Sequence, residues 1–270
     1  MRKSGFQVYC ITETWLNSDI DSGIFGLDRY SWIRSDRPDR GGGSAILLSN
    51  ELKYRVINFC QGHHEICAVD ILGSDCDYCR LVCVYRPPNY STASTANLID
   101  TISALVGNSK SYLIVGDFNL PGIDWRTFHA SNDSERLLVD FVLDSGSVQA
   151  VDEPTHIGGN TLDLMIASDP WLVMNLNVTD PLISDHMGIA TEVNFQVSSS
   201  DATQDGSFRS FRFSEKMVPY LAALTGKGYL NRVSLHLISI SLLMMCCEMV
   251  LNKCLIGNGG LGVNRNEVLL

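Results

Sequence analysis

Leu113-Ile114-Val115-Gly116-Asp117-Phe118-Asn119-Leu120 is the run around which the rest of the chain is organised. Branched apolar residues in succession read as a buried strand, and Gly116 reads as the point where the backbone turns at its end. The turn would deliver a carboxylate and a carboxamide, two residues apart, to the rim of a sheet. Asp117 can bind a metal or take a proton from water, whereas Asn119 hydrogen-bonds both ways without ionising. Taken alone, the run fits an ordinary strand and polar turn equally well. Its reading depends on the other strand ends.

Working outward, the residues on both sides alternate between strand and helix patterns. Thr92–Asn108 places Leu98, Ile99, Ile102, Leu105 and Val106 at helical spacing. Asn132–Ser145 does the same with Leu137, Leu138, Phe141 and Val142, and stops at Gly146. Strand-like runs precede these at 7–14, Tyr30–Arg34, Ser44–Leu48, Tyr54–Phe59, Ile66–Leu72 and Tyr78–Tyr85. Two more follow, Leu162–Ile166 and Ala190–Val197. Polar groups gather where these runs end. The first strand closes on Glu13, and another closes on Tyr85-Arg86 before two prolines that stop it. Asp163 interrupts an apolar strand, where an unpaired carboxylate is costly, so it calls for a partner. His156, His186 and the His63-His64 pair are the candidates.

Composition sets bounds. The chain has 270 residues, 45% of them hydrophobic, enough for one large domain or one domain with an appendage. The apolar run at the start ends at Glu13, which does not suit a signal peptide. Of nine cysteines, only Cys76 and Cys79 have zinc spacing and no second pair lies at ribbon distance, so structural thiols in a reducing compartment are the preferred reading. Residues 1–197 carry a net charge of −12 and residues 198–270 carry +2, within the overall −10. An acidic domain is a poor non-specific binder of polyanions unless bound cations carry the attraction. Gly41-Gly42-Gly43 before a strand is a weak phosphate-loop signal, and a mobile hairpin bearing Arg34, Arg37 and Arg40 describes it better. Boundaries fall at 1–197 for the main domain, 198–207 for a polar linker and 208–270 for a segment of unsettled fold. Within the last, the nearly uncharged stretch from Val233 to Cys247 is short for a bilayer span and reads as a core or interfacial helix.

Glu13, Tyr85, Asp117, Asn119, Asp163, Asp185 and His186 all stand at strand ends. Such groups on alternating strands and helices suggest a layered α/β fold with one cleft. Carboxylates without a cysteine favour Mg²⁺ or Mn²⁺ over zinc, and metal-assisted attack of water on a phosphoester is the natural chemistry.

ITETWL, VYRPPN, VGDFN, TLDLMI and SDHMGI together resemble the endonuclease/exonuclease/phosphatase superfamily in order and spacing. RGGGSAILLS, ERLLVDFVLDSG and EPTH look like the branch formed by endonuclease domains of non-LTR (LINE-type) retrotransposons, and the resemblance covers roughly residues 6–197. It implies an α/β fold, a four-layer α/β/β/α sandwich of the deoxyribonuclease kind. It implies catalytic roles for Asp117, Asn119, His186, Asp163 and Tyr85, metal ligation by Glu13 and Asp185, and a substrate lining of Thr155, Ser184 and Arg86. Mg²⁺ or Mn²⁺ would be the cofactor and DNA the substrate, with no stable protein or membrane partner and an intracellular site with access to the nucleus. Twelve residues before Glu13 leave room for its own strand only. The family's first strand, its Asn and its first helix are therefore expected to be missing, leaving an exposed edge and uncovered apolar surface. SFRSFRF resembles the connector that follows the domain in such elements. Two competitors go with this reading: an inactive retroelement remnant with the same fold, and a phospholipid or inositol phosphate phosphoesterase.

Overall fold

A computed structural model describes residues 6–38, 41–60, 62–73, 77–181, 184–195 and 233–239, and within the last strand the side chain of Leu235 alone. The linker 198–207, the segment 208–224, Arg40, Cys76 and the Cys246-Cys247 pair lie outside the described residues.

Two six-stranded sheets face each other. The first runs β10 (Val173–Thr179), β11 (Gly188–Val193), β12 (Val233–Ser239), β1 (Val8–Thr12), β3 (Ser44–Ser49) and β2 (Tyr30–Ser35) in spatial order. The second runs β4 (Tyr54–Val56), β5 (Glu65–Leu72), β6 (Tyr78–Tyr85), β7 (Tyr112–Asp117), β9 (Asp163–Ala167) and β8 (Val148–Gln149). Helices α1 (Thr92–Val106) and α2 (Asp133–Asp144) pack on the outer face of the second sheet. The helix α1 also makes the crossover that lets β6 and β7 run parallel.

Alternation along each strand explains the layers. Cys67, Val69 and Ile71 of β5 point into the space between the sheets, where they meet Val8, Cys10, Ile46 and Leu48 of the first sheet. Ile66 and Ala68 point the other way, into the layer formed with Leu98, Ile102, Leu138 and Phe141 of the helices. Cys10, Cys67, Cys79 and Cys83 are buried free thiols, and burial pushes the Cys79 thiol up to about 12. That environment fits structural thiols.

Both helices begin where capping chemistry dictates. Ser91 accepts the Ser94 N–H at 3.0 Å and Asn132 accepts the Glu135 N–H at 3.0 Å, each satisfying a donor that the helix cannot.

Several expectations need correction. Gly116 lies inside β7 and makes no turn. At φ +146 it lets β7 pass Val84 of β6 so closely that a Cβ would stand 1.8 Å from the Val84 carbonyl oxygen. The turn comes later, at Asn119, with φ 49. Residues 233–239, expected in a helix, form a strand, because a short apolar run without charge suits either state and pairing decides. The edge of β1 expected to be exposed is paired with β12. Over the outer face of the first sheet, the described residues show the loop after β1 with a short 3-10 turn at Ser22–Phe25. Strands β8 and β10 were not anticipated. In β10 a register shift between Met174 and Asn177, with Asn175 at φ 52, breaks the alternation that would have marked it.

Candidate active site

Adjacent strands of the second sheet bring four side chains onto one rung. Glu65 pairs with Tyr85 across β5 and β6, Tyr85 with Asp117 across β6 and β7, and Asp117 with Asp163 across β7 and β9. All four are at least 95% buried. Sheet register thus converts four distant sequence positions into one line of polar groups at the mouth of the sandwich.

The first sheet supplies the other side. The chain leaving β1 carries Glu13, at φ 53, and the Tyr85 hydroxyl donates to Glu13 Oε1 at 2.5 Å. Glu13 and Asn119 both occupy the left-handed region that non-glycine residues seldom adopt, a form of backbone strain that collects at functional sites. Burial first, then the hydrogen bond to Glu13 and the nearby carboxylates, raise the Tyr85 pKa, so it stays a phenol and a donor.

The approach to β11 carries Asp185 and His186. His186 Nδ1 lies 2.7 Å from Asp163 Oδ2, and because a carboxylate only accepts, the imidazole donates there and leaves Nε2 for another group. Burial pulls the His186 pKa down, but the hydrogen bond and charge of Asp163, with those of Asp117 and Asp185, prevail and raise it to about 9. That shift favours the imidazolium at neutral pH. Burial likewise works against ionising Asp163, and His186 is what opposes it.

Asp117 accepts from Asn119 twice, from its backbone N–H at 3.0 Å and from Nδ2 at 2.7 Å. Burial, then the adjacent Asp163, push the Asp117 pKa well above the ordinary carboxylate value. Among the described residues Glu65 is ion-paired with Arg37 and Asp163 with His186, while neither Asp117 nor Glu13 has an ion pair.

The remaining expected residues hold this frame. Thr155 Oγ1 accepts the N–H groups of Leu162 and Asp163, each at 2.9 Å, and so fixes the start of β9. Ser184 accepts the His186 N–H at 3.1 Å and shapes the turn before β11. Arg86, expected at the substrate, is only 3% exposed. Its guanidinium donates to Thr95 Oγ1 and to the carbonyls of Pro87, Tyr90, Phe118 and Asn119, so it braces the Asn119 turn. Asn119 Nδ2 is spent on Asp117 and on the Arg86 carbonyl, which makes it a clamp on Asp117. Arg37 and Arg34, expected on a mobile hairpin, are engaged with Glu65 and with Asp36.

Two further residues join the site: Glu65, which the sequence reading did not name, and His156, which it named only as a possible partner of Asp163. His156 pairs with Asp185, not Asp163, at 3.1 Å, and its ring lies edge-on to His186 with centroids 5.0 Å apart. Glu65, an acid opening the apolar run EICAVDIL, accepts from Arg37 and the Gly43 N–H and anchors the triple-glycine loop. The His63-His64 pair lies elsewhere, near Tyr90.

The donor set suits a hard cation. Ligand atoms of Asp117, Asp163 and His186 lie within 4.8 Å of one another, as do those of His156, Asp185 and His186. Asp163 Oδ1 is a buried oxygen with no hydrogen-bond partner. The carboxylates of Asp117 and Asp163, with one buried oxygen unspent, match a divalent ion that prefers oxygen ligands.

Comparison with known proteins bears on the fold that carries these residues. Residues 79–190 match the family model described as endonuclease-reverse transcriptase, a span that contains VYRPPN, VGDFN, TLDLMI and SDHMGI. The structure is similar to the endonuclease domain of TRAS1, a telomere-specific non-LTR retrotransposon, with TM-score 0.55 and 18% identity over 70% of this chain and 86% of that one. It is similar to the 3′ phosphatase NExo from Neisseria, solved with a product DNA hairpin, with TM-score 0.52 and 13% identity over 72% and 91%. An AP endonuclease from Archaeoglobus fulgidus aligns with TM-score 0.51 and 13% identity over 68% and 87%. No curated protein matched the chain. The fold and the family match bear out the resemblance to the endonuclease/exonuclease/phosphatase superfamily. Among the described residues no helix is long and apolar enough to cross a membrane.

Proposed function

We propose that the chain hydrolyses phosphodiester bonds with a divalent cation and nicks DNA, in the manner of a retrotransposon endonuclease. The observation that carries this reading is the Asp163–His186 pair set beside Asp117 on one rung, at the mouth of a sandwich similar to known nucleases.

Glu13 and Asp185 are the residues that would hold Mg²⁺ or Mn²⁺, with Asp163 Oδ1 or Asp117 adjacent. Such an ion, when bound, neutralises phosphate charge and lowers the pKa of water. Asp117, clamped by Asn119 and shielded from solvent, takes the proton of an attacking water, a role its raised pKa suits. His186, protonated and held by Asp163, donates Nε2–H to a non-bridging phosphate oxygen and stabilises the charge that develops there. The Tyr85 phenol offers a second donor from the neighbouring strand. Cation neutralisation also answers the objection that a domain of net charge −12 repels DNA.

The test is nicking of supercoiled plasmid with and without Mg²⁺. Wild type should convert it to open circle only with the metal. His186→Ala and Asp117→Ala should each lose activity by about 100-fold or more, as expected for removing a general base or an electrostatic stabiliser. Nicking that persists in both variants would sink the assignment. Release of phosphate from an inositol lipid without DNA cleavage would move the substrate to the lipid class.

A further inference from the structure

The first sheet is made of two pieces, β10–β11 and β1–β3–β2, that are not hydrogen-bonded to one another. Strand β12 joins them. It pairs in parallel with Val8–Thr12 of β1 and in antiparallel register with Ile189–Val193 of β11, so one short segment satisfies the inner edges of both. Leu235, 1% exposed, enters the core between the two sheets with Val8 and Ile189. The two pieces carry different parts of the site. Strand β1 delivers Glu13, and the chain entering β11 delivers Asp185 and His186. Strands in a sheet are spaced about 4.8 Å apart, so β12 sets the backbones that carry these groups two spacings apart, roughly 9.6 Å.

We infer that β12 is a positioning element for the active site, a strand that docks between two half-sites and sets the separation of Glu13 from Asp185 and His186. The catalytic part of this inference rests on the function proposed above. The docking part stands on the pairing alone. The sequence of β12 suits the task, since Val233-Ser234-Leu235-His236-Leu237-Ile238-Ser239 has no proline and no charged Lys, Arg, Asp or Glu. Such a segment satisfies a ladder on both sides without burying an unpaired ion. It is reached across about 40 residues from the end of β11, so its docking closes a long loop. The occupant is this chain's own 233–239, and a peptide of the same sequence supplied separately should serve in its place.

The experiment uses the full chain. His236→Pro removes a backbone donor from a strand paired on both sides. Amide hydrogen exchange over 8–12 and 188–193 should accelerate at least tenfold, while 78–85 and 112–117 stay protected. Nicking should fall by about 100-fold, the loss that follows from displacing a catalytic group by about 1 Å. The Mg²⁺ concentration for half-maximal activity should rise, because Glu13 is displaced from its partners across the cleft. A synthetic peptide with the sequence of 230–242 should restore protection and activity, and the same peptide with proline at 236 should restore neither. Unchanged protection of 8–12 and 188–193 in His236→Pro would overturn the inference, as would a failure of the wild-type peptide to rescue. If His236→Pro unfolds the whole chain, Leu235→Ala decides: exchange should rise in 8–12 and 188–193 together and not in 112–117, and a uniform rise overturns the inference. If His236→Pro shows the predicted exchange pattern but the wild-type chain never nicks, the proposed function is refuted and the docking role stands.

Discussion

The two sheets are built in different ways. The second gathers consecutive segments, from β4 through β9, and two capped helices cover its outer face. The first collects residues from 8–49, 173–193 and 233–239, and the described cover on its outer face is a loop with a 3-10 turn. The candidate active site straddles them. Its fixed part, the rung of Glu65, Tyr85, Asp117 and Asp163, belongs to the locally assembled sheet. Glu13, Asp185 and His186 come from the sheet assembled over long range. A rigid row of acids faces groups whose placement depends on distant strands.

The sharpest way to break the comparison is at the contact between β6 and β7. Gly116→Ala places a Cβ against the Val84 carbonyl at a position where both neighbours are backbone. The second sheet cannot give locally, so the variant should fail to fold, seen as loss of the cooperative denaturation transition. A folded Gly116→Ala protein with wild-type stability would mean that this sheet is as adaptable as the first.

Next in size is the buried ion pair on the helix side of the second sheet. Asp70, fully buried, accepts from Arg80 and Arg55, and Arg80 also caps the end of α1 through the Leu105 carbonyl. Burial raises the Asp70 pKa, but the hydrogen bonds and charges of Arg80 and then Arg55 outweigh it and hold the carboxyl below its ordinary value. A depressed pKa contributes stability above the unfolded value, about 3.9, that is lost as pH falls through the folded one. Asp70→Asn should therefore cost about 3–5 kcal/mol at pH 7, with the gap to wild type closing below about pH 4. Urea denaturation at both pH values measures it, and a gap that is independent of pH would remove the electrostatic explanation.

The smallest effect separates the two outer faces. Leu138 of α2 is buried against the second sheet, and Leu16 of the loop after β1 is buried against the first. Truncation of a core leucine costs about 2–5 kcal/mol, depending on how far the surroundings close over the void. Leu138→Ala, held by a capped helix, should fall near the upper end, and Leu16→Ala near the lower, since a loop can settle into the gap. Equal losses would indicate that loop and helix cover their sheets equally well.

Much of this was legible along the chain. The strand-like run Tyr78–Tyr85 came through, as did the period of 3.6 in Leu98, Ile102 and Leu105, because one face of that helix is buried against the sheet while Asn97, Asp100 and Ala104 face solvent. The need of Asp163 for a histidine was also legible, since an unpaired carboxylate in an apolar strand is costly. Which histidine answered was not, because the choice between His156 and His186 depends on the bridge that brings those two residues opposite each other. Arg86 shows the limit from the other side. A guanidinium beside a phosphate-sized site looks like a substrate contact in sequence, and in space it is consumed by four carbonyls and a threonine.

The sequence by itself determined the strand-end chemistry: Glu13, Tyr85, Asp117, Asn119, Asp163, Asp185 and His186 follow from local alternation and from the cost of placing polar groups at apolar ends. Only the tertiary structure decided that Glu65, Tyr85, Asp117 and Asp163 share one rung, that Gly116 is a close approach and not a turn, and that residues 233–239 are a strand. Register and pairing are relations between segments far apart in sequence. A short apolar run carries no sign of its conformation until the edges that need its hydrogen bonds are beside it.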